Sequence, residues 1–268
     1  MKILVPTDYS DNADAAVDYA AEMAQRLGAE EIMLISTLSM PYSAAAGSLV
    51  NIKEHMKEEA DETIAGAAAR LTTKLAGKVN VTSRVVEGDP VPVVNRVAEH
   101  DGYQLIVMGN RGSSDLKEAF TGSVANGLIK QTKTPVLAVP SDVAVTQIDR
   151  IVLAADDKPV DPVKMGALTT IARAYNAEIL VYHQGGDKDD HGIHATLRGA
   201  LKDTNHSLHA NFDTGNVKEG IDNFLTTHNA QLLCMIRRER NFFADLFNRS
   251  TVSRELFDSR VPLLVLPE

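Results

Sequence analysis

The stretch Leu105–Val139, LIVMGNRGSSDLKEAFTGSVANGLIKQTKTPVLAV, sets an apolar run, a glycine-bearing loop, a helical pattern and a second apolar run in that order. Leu105–Met108 and Val136–Val139 are short and uniformly apolar, so each reads as a buried strand rather than an amphipathic helix. Thr121–Lys130 between them reads as a helix. A strand, a helix and a further strand make the unit of a parallel sheet, whose crossovers lay helices on its faces.

Working outward, the same alternation fills the chain. Ile3–Pro6 is a strand, Ser10 a candidate N-cap, and Asp11 suits the positive end of a helix. Ala16, Val17, Ala20, Ala21, Met23, Ala24 and Leu27 recur at helical spacing, and Gly28 supplies the stop. Ile32–Ile35 is a strand, Ile52–Leu75 a long helix, Val79–Val86 an alternating strand, and Val91–His100 a helix leading to Leu105. After Val139 the order restarts: strand Ile151–Ala154, a helix near Pro162–Tyr175, strand Ile179–Tyr182, a helix near Ile193–Lys202, and strand Ser207–Phe212. Helix Val217–His228, strand Leu232–Met235, helix Ser250–Phe257 and strand Leu263–Leu266 complete it.

Three landmarks pair up: ILVPTD with IVLAAD, LIVMGN with LLCMIR, and TPVLAVP with VPLLVLP. A duplication therefore accounts for the 268 residues, a length that already suggests about two domains. The offset is 148 from Asp8 to Asp156 and 127 from Met108 to Met235, so the second copy is shorter by 21 residues. Ser141–Gln147 reads as the linker, giving domains 1–141 and 148–268. The expected fold is α/β: two tandem doubly wound domains, each a five-stranded parallel sheet with helices on both faces.

Composition narrows the function. The net charge of −9 argues against a nucleic-acid backbone binder, which needs a dense Lys/Arg footprint. Cys234 is the single cysteine, which excludes an internal disulfide or a CxxC centre, and its apolar surroundings read as those of an inert buried thiol. The opening MKILVPTDYS lacks the apolar length of a secretory signal, and no run approaches the roughly 20 residues of a membrane span. The Asn-x-Ser/Thr triplets at Asn80, Asn205 and Asn248 therefore read as chance, and the cytoplasm is the expected compartment.

The chemistry lies in the loop of the opening stretch. Gly109-Asn110-Arg111-Gly112 follows the strand, and nine residues later Gly122-Ser123 leads the helix: G-x2-G-x9-G-S. Glycines let a backbone approach an anion closely, and a helix start adds unpaired N–H groups and a positive dipole end. Ser123 adds a hydroxyl and Arg111 a charge. A ligand of an open α/β sheet sits at the carboxyl ends of the strands, where Asp8 also falls. A carboxylate there suits sugar hydroxyls or an adenine edge better than phosphates. Walker A and G-x-G-x-x-G patterns are absent, which disfavours P-loop and dinucleotide enzymes.

In its PTD turn (Pro6–Asp8), its GNRG…GS motif and its closing PVLAVP strand, the chain resembles the universal stress protein family, specifically its tandem members. The resemblance spans nearly the whole length and implies an adenine nucleotide alpha hydrolase-like fold. It implies an adenine nucleotide of the ATP or AMP type, with or without Mg2+, in the first domain. Adenine and ribose would lie near Pro6, Thr7, Asp8 and Thr37, the last standing where relatives often carry valine. Met108, Gly109, Arg111, Gly112, Gly122, Ser123 and Val124 would wrap ribose and phosphates. It also implies that Val136–Val139 and Leu263–Leu266 pair antiparallel as an intramolecular pseudo-dimer, and leaves a further homodimer open.

The second copy departs from the motif. Ile236, Glu239 and Arg249 stand at the positions of Gly109, Gly112 and Gly122, and only Ser250 matches Ser123. Those side chains are expected to fill phosphate space, making this copy a degenerate one, although Asp156 survives opposite Asp8. Asn241–Phe247 either packs into the vacated crevice or presents apolar surface to a protein partner. Arg237, Arg238 and Arg240 read as a solvated basic loop, with an anion site at the crevice mouth as the sharper alternative.

Function is therefore expected to be nucleotide-linked stress response, regulatory rather than catalytic. No Ser/His/Asp or Cys/His arrangement is evident, and at most slow ATP hydrolysis is expected. The rivals are a nucleotide-free protein-interaction module and a metal-responsive protein using the His-rich segment 183–209. There His191 and His194 could share a helix face, whereas His206 and His209 on a strand could not.

Overall fold

The computed structural model describes residues 1–38, 49–110, 123–143, 147–156, 159–184, 197–211, 217–238 and 261–268. Its first half runs β1 (Lys2–Pro6), α1 (Asp11–Leu27), β2 (Glu31–Leu38), α2 (Leu49–Leu75), β3 (Asn80–Glu87), α3 (Pro90–His100), β4 (Leu105–Gly109), α4 (Ser123–Gln131) and β5 (Val136–Val139). Its second half runs β6 (Arg150–Ala155), a 3-10 turn (Pro162–Met165), α5 (Gly166–Tyr175), β7 (Glu178–Gln184), a helical segment at 197–201, β8 (His206–Asn211), α6 (Val217–Thr227), β9 (Leu232–Arg237) and β10 (Leu263–Pro267). The expected helix Ser250–Phe257 lies outside the described residues.

The expected doubly wound fold is present, and the two halves share one continuous ten-stranded sheet in the order β3-β2-β1-β4-β5-β10-β9-β6-β7-β8. All neighbours are parallel except β5 and β10, which pair antiparallel at Leu263–Ala138, Leu264–Leu137 and Val265–Val136. The halves therefore have the same strand order about that seam. The registers of the two halves match the duplication: Ile3 faces Leu105 as Ile151 faces Leu232, and Ile106 faces Val136 as Leu233 faces Leu263. This equates Gly109 with Ile236, Asn110 with Arg237 and Arg111 with Arg238 by position.

Alternation along each strand sends side chains to two cores. On one face Ile3, Val5 and Val107 pack with α1, α2 and α5; on the other Leu4, Met33, Ile35 and Met108 pack with α3, α4 and α6. Local sequence explains the ends of α1. The Ser10 Oγ accepts from the Ala13 N–H at 3.3 Å, and Gly28 closes the helix at φ 59°, where a side chain would be strained. The expected helix from Pro162 instead starts as a 3-10 turn, because the Asp161 carboxylate accepts from the Val163 N–H at 2.9 Å just ahead of Gly166. Gly127 lets α3 and α4 meet: a Cβ there would stand 2.6 Å from Val91 Cγ2. Among the described residues, no helix is long and apolar enough to cross a membrane.

Candidate functional site

The carboxyl end of β1 is held open by hydrogen bonds local to its turn. The Thr7 N–H extends the β1–β2 ladder to the Ile35 carbonyl at 2.9 Å, and the Thr7 hydroxyl then accepts from the Tyr9 N–H at 3.1 Å. Tyr9 takes the left-handed conformation, φ 60°, which swings the chain into α1. Asp8 is exposed at the crest. Its Oδ1 accepts from the Ser10 hydroxyl at 2.6 Å and from the Ser10 N–H at 3.2 Å, so the residue that caps α1 also orients the carboxylate. That bond was not foreseen; the signal for it is the D-x-S spacing, which favours a side chain bonding two residues on.

Beside β1, β4 ends at Gly109, paired with Val139, and the buried Asn110 donates its N–H to the Val139 carbonyl at 2.9 Å. The chain re-enters the described structure at Ser123, the exposed first residue of α4. Val124 packs half-buried against the same core that holds Met33, Ile35 and Met108. By strand alternation Pro6 and Thr37, both half-buried, lie on that face as well. Thr7 does not: its side chain helps line a 250 Å³ cavity between α1 and α2, together with Asp14, Leu34 and Arg70. In that cavity wall the Asp14 carboxyl is held above its ordinary value chiefly by burial, against the attraction of Arg70. Arg111, Gly112 and Gly122 lie outside the described residues.

The crest thus joins an oriented carboxylate, an apolar wall on one face of the sheet, and a helix start with a serine. Unpaired N–H groups of a first helical turn suit an anion, and the carboxylate suits hydroxyl groups. Residues 1–140 match the family model described as "Universal stress protein family".

The chain belongs to the universal stress protein family. Universal stress protein MJ0531 of Methanocaldococcus jannaschii is 34% identical over 142 residues, covering 52% of this chain and 81% of its own. Universal stress protein MJ0577 of the same organism is 28% identical over 152 residues, covering 52% and 93%. A universal stress protein from Archaeoglobus fulgidus superposes over 100% of this chain and 96% of its own, with a TM-score of 0.78 at 22% identity, which bears on the fold.

In the second half of this universal stress protein, the matching crest is built differently. Ile236, at the position of Gly109, has its side chain buried in the core on the α5 face. Neither Arg237 nor Arg238 lies in a solvated loop. Arg237 donates from Nη1 to the Ile129 carbonyl of α4 at 2.8 Å. Arg238, its side chain 3% exposed, turns into its own half. There Nη2 donates to Asp156 Oδ1 at 3.0 Å, and Nη1 to Glu268 Oε1 at 2.8 Å and to the Pro159 carbonyl at 3.0 Å. Burial alone would ease the proton off Arg238, but the bonds to Glu268 and Asp156 outweigh it and hold the guanidinium charged. Glu239, Arg240, the Asn241–Phe247 segment, Arg249 and Ser250 lie outside the described residues.

His191 and His194 lie outside the described residues, and among the described residues no group of three or more His, Cys, Asp or Glu is placed to hold a metal ion. On β8, His206 bonds through Nδ1 to the Thr204 carbonyl at 3.0 Å, whereas His209 contacts Ser207 Oγ through Nε2 at 3.0 Å and packs against Phe224 and His228. Cys234 is fully buried, which raises its thiol pKa far above the ordinary value.

Proposed function

We propose that residues 1–141 of this universal stress protein form a unit that binds one adenine nucleotide, and that residues 148–268 form a second unit that binds none. The observation that carries this reading is the convergence of Pro6, Thr37, Met108 and Val124 on one face of the sheet, beside a strand that ends at Gly109 and the oriented Asp8 carboxylate. In this reading Asp8 accepts from ribose hydroxyls, and Met108 and Val124 wall the adenosine. Thr7 contributes through its backbone, since its side chain lines the cavity on the other face. Gly109, Gly112 and Gly122 keep side chains out of the phosphate path, while Arg111, Ser123 and the first N–H groups of α4 take up negative charge. A nucleotide, with or without Mg2+, supplies the polyanion that these groups neutralise.

The function is regulatory rather than catalytic, and is carried out in the cytoplasm. Bound nucleotide favours one arrangement of the segment from Gly109 to Ser123, and a protein partner reads that arrangement. Protein purified without added nucleotide, heat-denatured and examined by mass spectrometry, is expected to release close to one adenine nucleotide per chain. If none is released and titration with ATP-Mg to millimolar concentration gives no heat, the reading is wrong and a nucleotide-free interaction module replaces it.

A further inference from the structure

The crest of the second half is not an empty version of the first. Asp156 occupies the position of Asp8, and Arg238 that of Arg111, by the register that equates β6 with β1 and β9 with β4. Three acceptors from separate parts of the half converge on one planar group: the Asp156 carboxylate after β6, the Pro159 carbonyl beyond it, and the Glu268 carboxylate after β10. Asp156 is itself only 15% exposed, so a phosphate arriving here would meet a carboxylate largely withdrawn from water, with a second one beside it. A guanidinium, in contrast, offers N–H groups in a fixed fork that can reach several acceptors lying near its plane.

We propose that the carboxyl-end crevice of the second half is a guanidinium site, filled in this chain by its own Arg238. The position that Arg111 holds in the first copy carries here an arginine whose guanidinium is the occupant of the crest. The site takes an alkylguanidinium when the arginine is removed and does not take ATP. The assignment stands on the second half alone and holds whether or not the first half binds nucleotide.

Arg238→Gly removes the side chain and leaves room for it to be returned as n-propylguanidinium. The full-length variant is expected to melt on the order of 10 °C below the parent, as a buried pair broken on one side does. Added n-propylguanidinium should raise Tm saturably in the variant and not in the parent, whereas n-propylammonium, a point cation of similar length, should give less than a third of that rise. ATP-Mg should show the same stoichiometry for variant and parent. Equal rescue by both cations, no rescue by either, or an additional ATP bound by the variant would each overturn the proposal. If Arg238→Gly does not fold, Arg238→Lys decides: a clear loss of Tm supports the requirement for a fork, and parental Tm refutes it.

Discussion

Arg237, at the end of β9, donates a hydrogen bond across the seam to the Ile129 carbonyl in the last turn of α4, at 2.8 Å. A cation at a helix carboxyl terminus satisfies an orphan carbonyl and complements the helix dipole. The other end of that helix is Ser123. The second half therefore secures an element of the first half's candidate site, and Asn110 holds the position in the first half that matches Arg237.

Arg237→Met keeps much of the aliphatic stem but loses the bond. It is expected to lower unfolding free energy by about 1–2 kcal/mol, toward the low side of the range for a bond from a charged donor because Arg237 is partly exposed. Urea melts of the full chain check this, and a change under about 0.3 kcal/mol would show that the seam does not depend on the contact.

Gly127→Ala tests the α3–α4 approach. Alanine gains about 1 kcal/mol of helix propensity over glycine, but its Cβ would stand 2.6 Å from Val91 Cγ2, and overpacking costs about 1–3 kcal/mol. The single variant is expected to be less stable than the parent. Adding Val91→Ala should recover the loss, with a coupling of at least about 1 kcal/mol in the double-mutant cycle. Additive effects would mean that the helices separate freely.

Gly122→Arg copies into the first half the residue that stands at the matching position, Arg249. It should abolish ATP binding in calorimetry. Asp8→Ala should weaken binding about tenfold, consistent with loss of roughly one charge-assisted hydrogen bond, while leaving Tm nearly unchanged because Asp8 is exposed. Retained affinity in Gly122→Arg would remove the glycine segment from the site.

Glu31 predicts an acid limb in the stability profile. Burial opposes its ionised form, but hydrogen bonds from the Tyr103 hydroxyl at 2.8 Å and the Thr82 hydroxyl at 3.1 Å, with Lys2 Nζ at 3.4 Å, outweigh it and hold its pKa below the ordinary 4.5. A carboxyl depressed in the folded state contributes stability above its unfolded value, and that contribution is lost as pH falls through the folded value. Tm measured downward from pH 6 should therefore fall from about 4.5 in the parent and fall less steeply in Glu31→Gln. Parallel profiles would assign the acid limb to other carboxylates.

Much of the fold was legible because strands buried on both faces appear as uninterrupted apolar runs, and because Ser10 and Gly28 mark helix ends by local chemistry alone. The exception at Pro162 had a local cause too, an aspartate whose side chain competes for the first N–H groups. The candidate site was legible as residue types at a spacing, and alternation alone separates Thr7 from Pro6, but that Thr37 and Met108 share the face of Pro6 follows only once the strand register is known.

The sequence by itself determined the repeated strand–helix order, the family, and the strands whose neighbouring ends carry Asp8 and Gly109. These rest on local periodicity and on residues close along the chain. Only the tertiary structure decided that Arg238 turns inward and Arg237 crosses the seam. A guanidinium follows its acceptors, and those of Arg238 lie 82, 79 and 30 positions away, while that of Arg237 lies 108 away. No local pattern encodes such partners; the folding of the second half gathers those of Arg238, and the pairing of the two halves in one sheet brings the Ile129 carbonyl to Arg237.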